Sequence, residues 1–295
     1  MSRHTNIEWC DSTINLAAGC DGCELYNPAN VARGVVDHCY AATITKRYAG
    51  SNPGFPALFH QPKLFTERMD QIARWGDLTG TDRPGKPWMN GLPRHIFHGD
   101  MGDYFTESLP DGWLLEHMDR LADMPHIHVL LTKRPRRMAA VFKRYGKVPE
   151  NFKLGTSITS PGTLNRVHHL LTGVGQMTND LFLSVEPLLA NVADLLDGAL
   201  TSFDYMRFQI IVGGESGPGA RPFDIMWARD IRNLCQRREI AFFMKQTGSN
   251  ALMDGRRWPV GGKGHNLVDF PPDLRIRMMT WEKDWPQMIA ALRGR

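Results

Sequence analysis

The chain has 295 residues, 42% hydrophobic and 22% charged, which is the composition of a globular protein with a sizeable core. Its formal net charge of +4 permits an anionic partner but is too small to indicate one by itself. The N-terminus is polar and no apolar run approaches the ~18 residues of a membrane span, so we expect neither a signal peptide nor membrane attachment. Five clustered cysteines argue against a secreted disulfide framework and predict a cytoplasmic protein.

The first quarter of the chain predicts a strand over residues 12–18, then a cysteine-containing loop, then a helix over residues 41–48. Residues 50–94 are rich in Gly, Pro and Trp, and we interpret them as a long loop or lid that carries one helix over residues 64–75. Residues 249–295 are expected to form a C-terminal extension of the same single domain, which we take to span residues 1–295.

From residue 94 onward, short apolar strands alternate regularly with helices. The expected strands are 96–98, 126–131, 152–156, 181–183, 208–212 and 240–244. The expected helices are 111–124, 137–145, 163–171 and 225–238. Buried strands that are each followed by a helix are typical of parallel βα units, so the sequence predicts an α/β fold with a parallel (β/α) barrel. A barrel is preferred over an open sheet because polar residues follow every strand, and barrel strand ends meet in one active-site bowl.

Residues 10–40 hold four of the five cysteines. Two residues separate Cys20 from Cys23, and Gly19 and Gly22 allow the backbone to turn tightly there. Fifteen residues separate Cys23 from Cys39, so a loop can bring a third thiolate to the same centre. Three ligands suggest an open metal centre, because structural zinc sites use four.

Three interpretations of these cysteines are open. A dithiol redox pair usually opens a helix, whereas Pro28 and a Gly- and Asn-containing loop follow here. A zinc site would take its fourth ligand from Cys10, His38 or His4. An iron–sulfur cluster would be held by three cysteines. Thiolates suit both zinc and iron–sulfur, so ligand softness does not decide between them.

Polar residues stand at the carboxyl ends of the predicted strands, where a barrel would gather them in one pocket. They are Asp100, Asp103, Lys133, Arg134, Thr156, Ser157, Ser184, Glu186, Gly213, Gly214, Glu215 and Lys245. Asp100, Lys133 and Glu186 are the candidate catalytic residues among them. The paired glycines Gly213 and Gly214 would let the backbone approach a ligand, unless they only make a tight turn.

Several stretches of the sequence carry a family resemblance. They are Ile-Glu-Trp-Cys-Asp at 7–11, Gly-Cys-Asp-Gly-Cys-Glu-Leu at 19–25, Cys-Tyr-Ala at 39–41, Leu-Thr-Lys-Arg-Pro at 131–135, Leu-Ser-Val-Glu-Pro-Leu at 183–188, Val-Gly-Gly-Glu-Ser-Gly-Pro-Gly-Ala-Arg-Pro at 212–222 and Phe-Phe-Met-Lys-Gln-Thr-Gly at 242–248. On these stretches the chain resembles a phage-associated family of three-cysteine-motif proteins that look like radical S-adenosylmethionine enzymes. The usual radical-enzyme motif has gaps of three and then two residues, and here the gaps are two and fifteen.

The resemblance implies a partial (β/α) barrel with a 4Fe–4S cluster on Cys20, Cys23 and Cys39. It further implies S-adenosylmethionine on the open iron, an electron donor, and a 5′-deoxyadenosyl radical that abstracts hydrogen from a substrate. The residues we expect beside S-adenosylmethionine are Tyr40, Ser184, Gly213, Gly214 and Glu215. The alternative is a zinc-stabilised barrel that binds nucleic acid or performs metal-assisted hydrolysis with Asp100, Asp103 and Glu186.

The substrate is expected to be anionic, a nucleotide or nucleic acid before a peptide. This expectation rests on basic residues that the barrel would have to gather on one rim. They are Lys133, Arg134 and Lys245 at strand ends, with Arg68, Arg74, Arg83, Lys86 and Arg94 in the long loop.

Overall fold

A computed structural model describes residues 2–34, 38–178, 180–201 and 208–280 of the chain. The chain divides into two compact units. Unit 1 comprises residues 1–79 and 93–153, and unit 2 comprises residues 80–92 and 154–295. The last stretch of the predicted C-terminal extension, residues 281–295, lies outside the described residues.

Seven strands belong to one sheet whose strand order follows chain order from β1 to β7. They are β1 (Ser12–Ile14), β2 (His95–His98), β3 (Ile127–Thr132), β4 (Phe152–Ser157), β5 (Leu181–Val185), β6 (Phe208–Gly213) and β7 (Ala241–Gln246). The pairings of β1 with β2, β2 with β3, β4 with β5, β5 with β6, and β6 with β7 are all parallel. The predicted α/β class with a parallel sheet is therefore confirmed. The order ends at β7 in the described chain, as in a partial barrel.

The described residues also form eight α-helices. They are α1 (Pro28–Ala32), α2 (Tyr40–Tyr48), α3 (Met69–Ala73), α4 (Asp111–Ala122), α5 (Pro135–Tyr145), α6 (Asn165–Gly173), α7 (Ala193–Ala199) and α8 (Ile225–Arg237). The short helices α1 and α7 were not predicted. Helix α1 begins where Asn27 caps the backbone N–H of Ala29 and Pro28 fixes the first turn. Among the described helices, none combines the length and apolar character needed to cross a membrane.

The predicted strand over residues 12–18 is split in the structure. Strand β1 ends at Ile14 because the side chain of Asn15 bonds the segment that follows β2. Its Nδ2 donates to Asp100 Oδ1 at 2.6 Å, and its Oδ1 accepts the backbone N–H of Met101 at 2.9 Å. Residues Ala17–Ala18 then pair antiparallel with Lys63–Leu64 of the long loop. The chain thus leaves the sheet just before the cysteines.

Unit 2 contains a second, three-stranded sheet that was not predicted. Phe223–Asp224 pairs parallel with Ala251–Met253, which pairs antiparallel with Arg256–Arg257. The chain beyond it returns to β7, where the Met278 N–H donates to Phe242 O at 3.0 Å. The described part of the C-terminal extension is therefore built into unit 2.

Candidate functional site

The three predicted metal ligands pack against one apolar cluster in unit 1. Cys20 is a buried member of this cluster, and Cys23 and Cys39 are partly buried against it. The other buried members are Ala18, Tyr26, Ala41, Ala42, Phe59, Phe65 and Met101. None of the five cysteines, all of which lie in the described part of the chain, forms a disulfide. Cys20, Cys23 and Cys39 therefore contact the same apolar cluster, while Cys10 and Cys235 lie outside it.

Close backbone contacts fix the start of the cysteine loop. Gly19 has a φ of +101°, and a Cβ there would lie 2.6 Å from the carbonyl oxygen of Phe59. Its N–H donates to Met101 O at 2.9 Å, and the N–H of Cys20 donates to Phe59 O at 2.8 Å. Glycine is required at this position because its backbone is in the left-handed region and because there is no room for a Cβ atom. The position of Cys20 is thereby tied to the segments that follow β2 and α2.

Asp21, between the two close cysteines, anchors the loop to residues 106–108. Its carboxylate accepts Thr106 Oγ1 at 2.7 Å, Ser108 Oγ at 2.6 Å and Ser108 N at 3.0 Å. Burial by itself would raise the pKa of Asp21, but these hydrogen bonds, first those from Ser108, outweigh it and lower the pKa. Asp21 is therefore an ionised structural carboxylate, and the sequence analysis did not identify it.

Cys20 is a neutral thiol in this surrounding. Burial, and next the charge of Asp103, raise the pKa of Cys20 to about 12, although the Arg134 guanidinium acts in the opposite direction. Redox-active dithiols have a lowered thiol pKa and usually stand at a helix N-terminus. Cys20 has neither property, so the dithiol interpretation fits this site poorly. A metal could still bind, with release of the thiol proton.

Cys39 and Tyr40 connect this cluster to the end of β2. Cys39 is the N-cap residue of α2, and its carbonyl oxygen accepts the Thr43 N–H at 3.0 Å. The hydroxyl of Tyr40 donates to the backbone carbonyl of Asp100, while 60% of the Tyr40 residue surface stays exposed. Tyr40 and Asp100, two of the predicted site residues, are therefore in contact within unit 1.

The two aspartates after β2 have different surroundings. Burial raises the pKa of Asp100, against the hydrogen bond from Asn15. The Asp103 carboxylate accepts four donors at 2.7–3.0 Å, which are Thr132 Oγ1, Phe105 N, Lys133 N and Arg134 Nη1. Both carboxylate oxygens of Asp103 are thus hydrogen-bonded to residues at the end of β3 and to Phe105. Asp103 is therefore a poor candidate for a general acid or base.

The predicted metal centre stays a prediction. Among the described residues, no three His, Cys, Asp or Glu side chains converge as ligands of one metal ion. A 4Fe–4S cluster makes a different demand, because each thiolate binds its own iron at a separate corner. Cys23 Sγ also accepts the Leu25 N–H at 3.4 Å, and hydrogen bonds to ligand sulfurs are typical of such centres. The proposed fourth zinc ligands His4 and His38 are exposed.

The predicted residues of unit 2 form a separate arrangement. Lys245 Nζ donates to Glu186 Oε1 at 2.5 Å, and each side chain is only 16% exposed. A Cβ on Gly213 would lie 3.1 Å from Glu186 Oε1. Gly213 thus leaves room for the carboxylate of its own chain, which partners Lys245. Ser184 is buried near the end of β5.

Gly214 and Glu215 also have partners within unit 2. A Cβ on Gly214 would lie 2.3 Å from the carbonyl oxygen of Thr247, so close backbone packing requires this glycine. Glu215 accepts Arg221 Nε at 2.9 Å, Nη2 at 2.7 Å and the Arg221 backbone N–H at 2.8 Å. These contacts explain both residues without a ligand, and their binding to S-adenosylmethionine stays a prediction.

Several of the predicted rim cations are used internally. Arg83 and Arg94 are buried, and Arg83 donates to the carbonyl oxygens of Met89 and Leu92. Arg94 donates to Gly76 O at 2.9 Å, and Arg68 donates to Asn15 O at 2.7 Å. These three guanidinium groups hold loops together. They are not gathered as a surface for an anionic substrate.

The comparisons with known proteins identify one family. Neither the curated proteins nor the solved structures contain a match to this chain. Residues 4–271 match a family of proteins described as being of unknown function (DUF5131). The matched region contains the cysteine loop of unit 1 and the Glu186–Lys245 pair of unit 2. The chain belongs to the DUF5131 family.

Proposed function

We propose that this protein is a radical S-adenosylmethionine-type enzyme with a 4Fe–4S cluster on Cys20, Cys23 and Cys39. One observation carries the proposal, namely that these three cysteines pack against the same apolar cluster after β1. With three thiolates as ligands, one iron stays open for S-adenosylmethionine. When bound, the cluster would supply the electron, received from an external donor, that cleaves S-adenosylmethionine reductively.

The protein's own residues would position and shield this centre. The hydrogen bonds to Asp21 hold the loop between Cys20 and Cys23, and the aromatic rings of Tyr26, Phe59 and Phe65 limit the access of water. Asn15 Nδ2 fixes Asp100 Oδ1, which leaves the other oxygen of this carboxyl able to hold a proton. Tyr40 packs its hydroxyl against the same segment, beside ligand Cys39.

The substrate in this proposal is a nucleotide or a nucleic acid, in keeping with the implied phage association. It is supported by Lys133, a cation that stands next to the end of β3 without being buried. Lys133 of unit 1 is proposed to contact the substrate. The catalytic role expected for Glu186, which is paired with Lys245 in unit 2, stays a separate prediction. The cytoplasmic location that the cysteines predict stays part of the proposal.

The decisive experiment is anaerobic purification and reconstitution of the full chain, followed by iron and sulfide analysis and electron paramagnetic resonance. We expect about four irons and about four sulfides per chain. Reduction in the presence of S-adenosylmethionine should then release 5′-deoxyadenosine. Cys20→Ala, Cys23→Ala and Cys39→Ala should each lose the cluster.

Cys235→Ala is the matched control, because Cys235 is a buried thiol on α8 in unit 2. Cys10→Ala serves as a second control within unit 1. Both variants should keep the wild-type iron content. A colourless wild-type protein with one zinc, or iron loss in Cys10→Ala but not in Cys39→Ala, would contradict the proposal.

A further inference from the structure

The side chain of Arg134 links the cysteine loop to the ends of β2 and β3. Its Nη2 donates to the carbonyl oxygen of Gly22 at 2.6 Å, and its Nη1 donates to Asp103 Oδ2 at 2.9 Å. Gly22 lies between Cys20 and Cys23, and the Arg134 side chain is only 15% exposed. The guanidinium therefore reaches the peptide that separates the two close cysteines.

The orientation of Arg134 is set by groups that are themselves fixed. Asp103 is 10% exposed, and the Thr132 hydroxyl and the backbone N–H groups of Phe105 and Lys133 hold its carboxylate. Arg134 also precedes Pro135, the first residue of α5, so its backbone is anchored at a strand-to-helix junction. A planar guanidinium held at two atoms keeps one geometry, which a flexible ammonium would not do.

The hydrogen bond from Arg134 to Gly22 O depends on the backbone conformation of Gly22. Gly22 has a φ of +125°, and a Cβ there would lie 3.0 Å from Tyr26 O. The Cys23 N–H donates to that same oxygen at 2.7 Å. Arg134 donates to the carbonyl oxygen of Gly22 in the same turn. The N–H of Cys23 and the C=O of Gly22 are therefore both hydrogen-bonded before any metal binds.

We infer that Arg134 is a positioning residue for the cluster and that its charge favours the reduced state of the cluster. This inference deepens the proposed function and rests on it. Reduction adds one electron and makes a cluster more negative, so a fixed cation in a mostly buried position would stabilise the reduced form more than the oxidised form. Net charge and hydrogen bonding around the sulfurs are established determinants of cluster potential.

The test compares Arg134→Gln and Arg134→Lys with Arg232→Gln. Arg232 is the matched control because it lies on α8 in unit 2, is 22% exposed and pairs with Asp273 at 2.7 Å. The measurements are iron per chain and a redox titration followed by electron paramagnetic resonance. At a fixed potential, Arg134→Gln should lower the ratio of reduced to oxidised cluster at least tenfold, equivalent to about 59 mV for one electron.

Arg134→Lys keeps the positive charge, but an ammonium group cannot bond Gly22 O and Asp103 Oδ2 in one fixed planar geometry. This variant should therefore lose iron, and its cluster potential should change less than that of Arg134→Gln. Arg232→Gln should match the wild type in both measurements. A wild-type potential and full iron content in Arg134→Gln would overturn this inference alone. A wild-type protein that takes up no iron would overturn the proposed function, and this inference with it.

Discussion

Acid should destabilise this protein through a pair of histidines buried in unit 1. His98 at the end of β2 and His128 in β3 are fully buried, and His98 Nε2 lies 3.0 Å from His128 Nδ1. The remaining ring nitrogens, His98 Nδ1 and His128 Nε2, have no hydrogen-bond partner within the described part of the chain. The His98 ring also packs edge-on against Tyr104, with 5.9 Å between ring centroids. A proton on this pair would place an uncompensated charge in an apolar interior.

The size of the effect follows from the pKa of His98. Burial, and next the charges of His117 and His126, lower the pKa of His98 to about 3. An unfolded histidine has a pKa of about 6.5, so between these two values the unfolded chain binds more protons than the folded one. The stability contributed by neutral His98 is therefore fully present above about pH 6.5 and decreases as the pH falls. Between about pH 7 and pH 5 this single group should cost about 2 kcal/mol of the free energy of unfolding.

The assay is urea unfolding followed by circular dichroism at pH 7 and pH 5, for the wild type and for His98→Phe. Phenylalanine keeps an aromatic ring against Tyr104 but cannot take up a proton. The variant should lose about 2 kcal/mol less than the wild type over this pH interval, whatever its stability at pH 7. Burial also lowers the pKa of His128, so some acid sensitivity should remain in the variant.

His168→Phe is the control, because His168 is an exposed histidine on α6. It should show the wild-type dependence on pH. If His98→Phe and the wild type lose the same stability between the two pH values, then His98 takes up its proton within the folded protein. That result would refute the assignment of a neutral, buried pair.

Two further outcomes can be measured on the same protein. Gly102→Ala should lower the free energy of unfolding by about 1–3 kcal/mol and reduce iron retention, because its Cβ would lie 2.5 Å from Gly19 O. Gly112→Ala on α4, where a Cβ meets nothing within 4 Å, should not destabilise the protein in the same urea titration. Binding to single-stranded oligonucleotides should weaken with salt by a log–log slope of about −0.7 per neutralised phosphate, and Lys133→Ala should flatten that slope. A slope unchanged in Lys133→Ala would remove this residue from the substrate site.

Local patterns in the sequence were sufficient to predict the regular elements. Helices over 111–124 and 225–238 were expected, and the structure has Asp111–Ala122 and Ile225–Arg237. Both have apolar residues at helical spacing, and such a signal does not depend on distant parts of the chain. Strand β1 differs, because it ends where Asn15 bonds Asp100, 85 positions further along. A pattern that is read along a short window contains no information about such a partner.

The sequence was sufficient to identify the cysteines of the candidate site, but not the residues that hydrogen-bond to their loop. Cys20, Cys23 and Cys39 were identified from spacing alone, and the structure places them on one apolar cluster. The groups that hold their loop, Asp21 and Arg134, were not assigned this role. The hydrogen bonds by which they hold the loop join residues that are 85–112 positions apart in the sequence. A clue was available for Asp21, because an acidic residue between two cysteine ligands needs donors of its own.

The arginines show how the same residue type can serve opposite purposes. Arg83 and Arg94 were expected as rim charges, yet both are buried and donate to backbone carbonyl oxygens. A guanidinium has five donors on one planar group, so it can satisfy several loop carbonyls at once in a way that lysine cannot. These arginines still count toward the net charge of +4, although their charge is enclosed by the chain. An anionic partner would therefore meet fewer cations than the composition suggests, and exposed lysines are the stronger test of any nucleic-acid contact.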